Sequence, residues 1–326
     1  MSDRRGRVEA WVRATLGIEE PDLQPASSDA SFRRYWRLRR GEDTAIVMDA
    51  PPELEDCGRY VRIADELRAI GLNTPEVLAQ DLEQGLLLIG DLGEHLYLDC
   101  LDEASVERLY GDALAALAVI QACAPTEGLP IYDRPFLLRE LGIFREWLLG
   151  AHLGLELTPG EETMLAEVFE RLVANALEQP QVCVHRDFHS RNLMVVPGHN
   201  PGVLDFQDAV VGPVTYDLVS LLKDCYIAWP PERVREWAAG YFVLAVQSGI
   251  LEPRHETGFL RWFDLMGVQR HLKAAGIFAR LYRRDQKPGY LDDIPRTLAY
   301  VLEAAEAYPE LAALGRFLDQ RVVPAL

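Results

Sequence analysis

The chain has 326 residues, with 51 acidic side chains against 33 basic ones and a formal net charge of −18. That length allows two domains of about 150 residues each, enough for two sizeable cores, and 49% hydrophobic with 26% charged residues excludes disorder, collagen and coiled-coil rods. The acidic balance argues against a general nucleic-acid or anionic-membrane binder, because both need a positive surface field. Only three of the 33 basic residues are lysines (Lys223, Lys273 and Lys287), and the first 222 residues contain none.

In chain order, Met1-Ser2-Asp3-Arg4-Arg5-Gly6-Arg7 is not followed by an apolar stretch, so no targeting segment is expected. No run approaches the ~18 apolar residues of a membrane span. The segment up to residue 90 reads as strands with one helix. Tyr35-Trp36-Arg37-Leu38-Arg39 alternates, and Ala45-Ile46-Val47-Met48 and Gly85-Leu86-Leu87-Leu88-Ile89 are short apolar runs. Between them Tyr60, Ile63, Ala64, Leu67 and Ile70 recur at helical spacing and stop at Gly71. Beyond Asp91-Leu92-Gly93-Glu94 the pattern is helical, over 104–124, 134–149, 159–177, 231–247, 257–284, 294–307 and 311–322. It is interrupted by short apolar segments at 182–185, 193–196 and 203–205, the last two joined by the turn signal Pro197-Gly198-His199-Asn200-Pro201-Gly202. This reads as a small hairpin within a helical domain. The five cysteines (Cys57, Cys100, Cys123, Cys183, Cys225) are scattered and form no C-x-x-C pair, which fits reduced thiols in a cytoplasm and small apolar core fillers.

The strongest chemical signal is His185-Arg186-Asp187-Phe188-His189-Ser190-Arg191-Asn192, followed 13 residues after the Asn by Asp205-Phe206-Gln207. Phosphoryl transfer asks a protein for a base that orients the attacking hydroxyl and for oxygen ligands that hold magnesium on the phosphates. Asp187 suits the first role. Asn192 and Asp205 suit the second, because Mg²⁺ takes few protein oxygens and keeps phosphate oxygens.

These residues resemble the kinase-superfamily signature H-x-D-x-x-x-x-N followed by D-F-G, with Gln207 in place of the Gly. Together with Gly212-Pro213-Val214-Thr215-Tyr216-Asp217-Leu218 they are most similar to the aminoglycoside phosphotransferase and choline kinase branch. The resemblance implies an α+β, two-lobed protein-kinase-like fold. A small β-rich N-lobe would span 1–92 and a larger helical C-lobe 93–326, with ATP and Mg²⁺ as cofactors. It makes His185 and Asp217 supports of the catalytic loop, and leaves His189 either a substrate contact or a solvated loop residue. Only 11 residues separate Asp205 from Asp217 and no A-P-E triplet follows, so there is little room for a peptide-binding segment and a small-molecule acceptor is expected.

By the same resemblance, the loop Ser27-Ser28-Asp29-Ala30-Ser31-Phe32-Arg33-Arg34 stands where the family covers phosphate. Ser28 and Ser31 would let backbone amides approach phosphate oxygens, although an ordinary polar turn has the same composition. The family ends its third strand with a phosphate-pairing lysine; here Met48 stands at that place, and no lysine precedes residue 223. Either the chain is a weakened nucleotide binder or an arginine supplies the charge, with Arg33 and Arg34 best placed. Gly90, Asp91 and Leu92 match the hinge whose backbone reads adenine, and Val47 and Leu88 are candidate walls of an apolar slot.

On a helical wheel Trp262, Met266, Gln269, Lys273, Ile277, Arg280 and Arg284 share one stripe. It is either a half-buried face with snorkelling cations or a cleft wall for an anionic sugar, in which Trp262, Gln269 and Lys273 join His189 and Arg191 around the acceptor. Ser28-Asp29-Ala30-Ser31-Phe32-Arg33-Arg34-Tyr35, Val47-Met48-Asp49-Ala50-Pro51-Pro52 and Gly267-Val268-Gln269-Arg270-His271-Leu272-Lys273 with Gly276-Ile277-Phe278 further resemble a group of bacterial kinases. That group phosphorylates the anomeric hydroxyl of the amino sugars N-acetylmuramate and N-acetylglucosamine in cell-wall recycling. The resemblance implies a cytoplasmic enzyme with a small-molecule amino-sugar substrate and neither nucleic-acid nor membrane partner. Kinases of another small acceptor (an aminoglycoside, choline or a hydroxy amino acid) and a nucleotide-binding pseudokinase remain the alternatives.

Overall fold

The computed structural model describes residues 2–27, 32–41 and 43–326. They divide into two units, Met1–Leu109 with Asn192–Gln207 and Tyr110–Arg191 with Asp208–Leu326. The first unit therefore takes in residues 93–109 and the segment 192–207, which the sequence pattern groups with the helical part.

In the first unit, β1 (Asp22–Ser27), β2 (Arg34–Arg40), β3 (Asp43–Asp49), β4 (Val77–Asp81) and β5 (Leu86–Gly90) form an antiparallel sheet ordered β1-β2-β3-β5-β4. Strands β2 and β3 pair without a break from Arg34↔Asp49 to Arg40↔Asp43, and β3 places Met48 opposite Leu87 of β5. The apolar runs of the sequence lie on β2, β3 and β5. The two edge strands give weaker signals: β1 contains Pro25, which an edge tolerates, and β4 alternates half-buried with exposed positions.

Helix α1 (Ser2–Leu16) precedes the sheet and is not expected from the sequence, whose charged residues mask a narrow apolar line. Val8 and Val12, one turn apart, are buried with Leu23, Leu38, Val47, Leu86 and Leu88 in one cluster. Arg4 reaches Asp49 at the end of β3, Nε to Oδ1 2.7 Å, and Gly17 at φ 66° ends the helix in the left-handed conformation that glycine adopts without cost. Helix α2 (Cys57–Ala69) begins where the Asp56 carboxylate accepts the Arg59 amide and buries Tyr60, Ile63, Ala64 and Leu67 on one face. A one-turn helix α3 (Tyr97–Cys100) follows, and the hairpin Leu193–Met194 with Gly202–Val203 completes the unit.

The second unit is helical around one two-stranded ribbon, Gln181–Val184 against Val210–Pro213. Its helices are α4 (Val106–Cys123, entering from the first unit), α5 (Arg134–Ile143), α6 (Pro159–Glu178), α7 (Tyr216–Leu222), α8 (Pro231–Gln247), α9 (Glu256–Asp285), α10 (Ile294–Ala307) and α11 (Ala312–Phe317). Helix α5 continues as a π-helical turn, Phe144–His152. Only α7 carries no periodic signal: all of its residues are buried, so it has no polar face to set a period. Helix α9 packs against the π-helical turn so closely that a Cβ at Gly276 would lie 2.6 Å from the backbone of Ile143 and Phe144. Gly276→Ala should therefore cost about 1–3 kcal/mol. Gly240→Ala on the exposed side of α8, where an added Cβ meets nothing within 4 Å, should gain about 0.5–1 kcal/mol; denaturant midpoints distinguish the two. Among the described residues no helix is long and apolar enough to cross a membrane, and the five cysteines are free thiols.

Candidate active site

In the second unit, the loop 185–191 leaves the strand Gln181–Val184 and is gripped by two carboxylates. Asp217 on α7, with 0% of its surface exposed, accepts the amides of His185 at 2.6 Å and Arg186 at 2.9 Å. Asp224, just beyond α7, accepts the Ser190 amide at 2.9 Å, the Ser190 hydroxyl at 2.6 Å and the Tyr226 amide at 2.9 Å. Between these grips Arg186 sits at φ 78°, a backbone conformation costly for a bulky side chain and kept only where surrounding contacts over-determine it. His185 is buried; its Nδ1 accepts the Asp187 amide at 3.3 Å and its ring packs edge-on to Phe188.

Asp187 is half-buried at the head of this loop. Burial pushes its carboxyl up, but Lys273, His189, Arg186 and Arg270 together outweigh burial and hold it below the ordinary carboxylate range. Those cations are themselves anchored. Glu140 on α5 forms ion pairs with Arg186 and, at 3.0 Å, with the Lys273 Nζ. Lys273 also donates to the Tyr216 hydroxyl at 2.9 Å, and Tyr132 donates to Glu140 while accepting from the Gln269 amide at 3.0 Å. Burial disfavours the charged form of Glu140, yet Lys273 and Arg186 keep it ionised.

Burial pushes the Asp217 carboxyl up to about 7 against the pull of the two loop amides. Its folded pKa lies above that of an unfolded carboxyl, so between about pH 4 and 7 the fold holds a proton that the unfolded chain has released, and stability falls as pH rises through that window. Asp217→Asn cannot titrate, and its NH₂ leaves one loop amide without an acceptor. The variant should cost about 1–3 kcal/mol at pH 5. Its gap to the wild type should narrow towards pH 7, as read by urea melts at pH 5, 6 and 7.

The stripe on α9 divides. Gln269 and Lys273 lie in the buried network beside Asp187, whereas Trp262 is about 16 Å further along the helix axis, with its indole N–H on Glu178 at 2.7 Å and its ring against His255. The structure therefore brings Gln269 and Lys273, but not Trp262, to the loop that carries Asp187. Arg280 is half-buried, with Glu146 and Glu140 among the charges that bear on it. His189 is buried against Tyr226, ring centroids 5.4 Å apart, and burial pushes its pKa down, against the pull of Asp224 and Asp187. Arg191 lies over the Tyr226 and Tyr290 rings at 4.7 and 5.4 Å.

In the first unit, Asn192 and Asp205 meet, Nδ2 to Oδ2 3.4 Å. Asp205 stands at φ 60° and is steadied by the Gln207 amide, Nε2 to Oδ1 2.7 Å, so Gln207 in the D-F-G position acts as a tether for the preceding Asp. Among the described residues no group of three or more His, Cys, Asp or Glu side chains is arranged to hold a metal. A pair of oxygen-bearing side chains fits Mg²⁺, which keeps waters and phosphate oxygens, better than an ion needing a full protein cage. Arg33, with 9% of its side chain exposed, donates to Glu55 at 2.6 Å and reaches Asp205 at 3.4 Å; Arg34 is exposed. Ser28 and Ser31 lie outside the described residues. Val47 and Leu88 belong to the cluster under α1, while the alternate residues Ile46 and Met48 occupy the other side of β3. In the segment Gly90-Asp91-Leu92, the Asp91 carboxylate is held by Arg37 at 2.6 and 3.1 Å and by the Gly93 amide at 3.0 Å. The Gly90 amide bonds the Glu76 carbonyl at 2.8 Å, and Leu92 follows.

Sequence reasoning missed Glu55, Glu140, Asp224 and Arg270. Asp224 carried a readable sign, since it follows Asp217 by seven residues, two helical turns. The partners of the others are remote in sequence.

The profile described as "Phosphotransferase enzyme family" matches residues 22–254. The chain is 49% identical to the N-acetylmuramate/N-acetylglucosamine kinase of Pseudomonas aeruginosa, over 95% of this chain and 92% of that protein. It is 40% identical to the protein of the same name from Neisseria meningitidis, over 98% and 96%. Among solved structures, choline kinase LicA from Streptococcus pneumoniae superposes with a TM-score of 0.64 at 13% identity, covering 93% of this chain and 99% of that one. The ADP-bound aminoglycoside phosphotransferase APH(2'')-Ib gives 0.58 at 16%, covering 90% and 97%. The antiparallel sheet, the helical unit and the braced Asp187 loop are thus those of a protein-kinase-like fold, and the chain belongs to the phosphotransferase enzyme family.

Proposed function

We propose that the protein is an ATP-dependent kinase of the anomeric hydroxyl of N-acetylmuramate and N-acetylglucosamine, acting in the cytoplasm in peptidoglycan recycling. The observation that carries this reading is the 40–49% identity, over nearly the whole chain, to kinases named for these two sugars.

In this reaction Asp187, kept ionised by its cations, orients the sugar hydroxyl and receives its proton. The bond from the hydroxyl oxygen to the γ-phosphorus forms as the bond to the β-phosphate oxygen breaks, releasing ADP. His185 and Asp217 hold the loop that presents Asp187. Asn192 and Asp205 would hold Mg²⁺, which when bound neutralises charge on the phosphates. Arg33 takes the place of the strand lysine: fixed by Glu55, it offers a guanidinium to phosphate oxygens, while Met48 remains a core residue. With the Asp91 side chain occupied by Arg37, adenine is left to the backbone groups of Gly90, Asp91 and Leu92. The test is incubation with γ-labelled ATP and a panel of N-acetylmuramate, N-acetylglucosamine, choline and an aminoglycoside. Label on both sugars is expected; label on choline or the aminoglycoside alone contradicts the reading.

A further inference from the structure

We infer that Arg191, clamped between Tyr226 and Tyr290, is the binding site for the acceptor's carboxylate and sets the preference of the enzyme for N-acetylmuramate over N-acetylglucosamine. This rests on the sugar-kinase reading above and adds to it the residue that separates the two substrates, which differ by a lactyl ether ending in a carboxylate. The guanidinium carbon of Arg191 lies 4.7 Å from the Tyr226 ring centroid and 5.4 Å from that of Tyr290. Both rings are half-buried, and Phe278 packs on each of them, at 6.1 and 5.7 Å between centroids. The rings cover the faces of the guanidinium and Tyr226 also takes a side-chain hydrogen bond from it, which leaves the remaining N–H groups for a planar anion.

Among the described residues no carboxylate takes those groups. Arg191 forms no ion pair among the described residues. Asp293, the acidic side chain that bears on it electrostatically, is itself bonded to Arg296 at 2.9 Å. The remaining charges near the loop are committed elsewhere, Asp224 to Ser190 and Tyr226 and Lys273 to Glu140. Tyr226, Tyr290 and Asp293 favour the charged form of Arg191, and with no carboxylate bonded to it among the described residues its N–H groups are open to an anionic ligand.

A second observation points the same way. His189 is 9% exposed and packs on Tyr226, yet its Nδ1 has no hydrogen-bond partner among the described residues. Burial favours its neutral form, able to bond a hydroxyl or amide of a sugar. Asp187, His189 and Arg191 alternate along one segment whose amide of His189 bonds the Asp187 carbonyl at 3.0 Å. Four residues span at most about 14 Å, so the base for the anomeric hydroxyl and the guanidinium for the lactyl carboxylate come from one short segment.

The test is a cycle of kcat/KM values. Wild type and Arg191→Gln are each assayed with N-acetylmuramate, with its lactyl carboxamide and with N-acetylglucosamine. Arg191→Gln should lower the N-acetylmuramate to N-acetylglucosamine ratio by about tenfold or more, and conversion of carboxylate to carboxamide should cost the wild type a similar factor but cost the variant little. The carboxamide arm uses the wild-type protein, so a variant that fails to fold does not remove the test: an amide as good as the acid overturns the proposal. Equal losses of Arg191→Gln on both sugars, or additive losses around the cycle, also overturn it while leaving the sugar-kinase reading intact. A wild type that phosphorylates neither sugar overturns both.

Discussion

Replacing Asp187 by Asn should lower kcat by at least about 10³-fold, the scale of a lost catalytic base, while the affinity for ATP changes by no more than about threefold. The side chain keeps its size and its place on the loop, because the grips of Asp217 and Asp224 act on the backbone of His185, Arg186 and Ser190 and not on residue 187. What is lost is the anion. The surrounding Lys273, Arg186 and Arg270 hold Asp187 ionised, and an amide can neither accept the sugar proton nor orient the hydroxyl by a charge-assisted bond. Initial rates of ADP release and equilibrium titration with ATP separate these effects. Retained turnover would remove Asp187 from the mechanism, and a matching loss of ATP affinity would make it a structural residue.

The second large effect is expected at Arg33. A family whose strand lysine pairs with phosphate loses that group here, since Met48 is wholly buried and no lysine occurs before residue 223. Arg33 is the arginine of the 33–34 pair that is fixed, between Glu55 and Asp205. Arg33→Ala should lower kcat/KM for ATP by about 100-fold, the scale of one preorganised phosphate contact. Arg33→Lys should recover part of it, since an ammonium restores the charge but not the paired donors. Arg34 is exposed, and Arg34→Ala should stay within a factor of about three. Steady-state kinetics with ATP as the varied substrate checks all three; an Arg34→Ala loss equal to that of Arg33→Ala would contradict the assignment.

The residues proposed for the site stood out because their spacing matches a chemical need: a base, an Asn five residues on and an Asp across a hairpin are what phosphates and a metal would ask for. Long amphipathic helices were legible for a different reason, since α6, α8 and α10 each keep one polar face. Helix α7 escaped because burial on every side removes the period, and α1 because two valines do its packing among charged residues. The stripe on α9 shows the limit of a helical wheel. It aligned Trp262 with Lys273 by angle and carried no axial distance, and it was silent about Glu140, Tyr132 and Tyr216, which come from elements remote in sequence and turn Lys273 into part of a buried network. In the same way Arg33 and Arg34 are equivalent as letters. The Glu55 contact separates them, and it exists only once β2 and the approach to α2 are folded together.

Transfer of a phosphoryl group to the anomeric oxygen is tested most directly by phosphorus NMR of the product formed from ATP and N-acetylmuramate. A phosphomonoester coupled to the anomeric proton, formed in step with ADP and accompanied by loss of the reducing end, is the predicted result. A phosphate coupled to any other sugar proton, or ATP bound with no sugar phosphate formed, would contradict it.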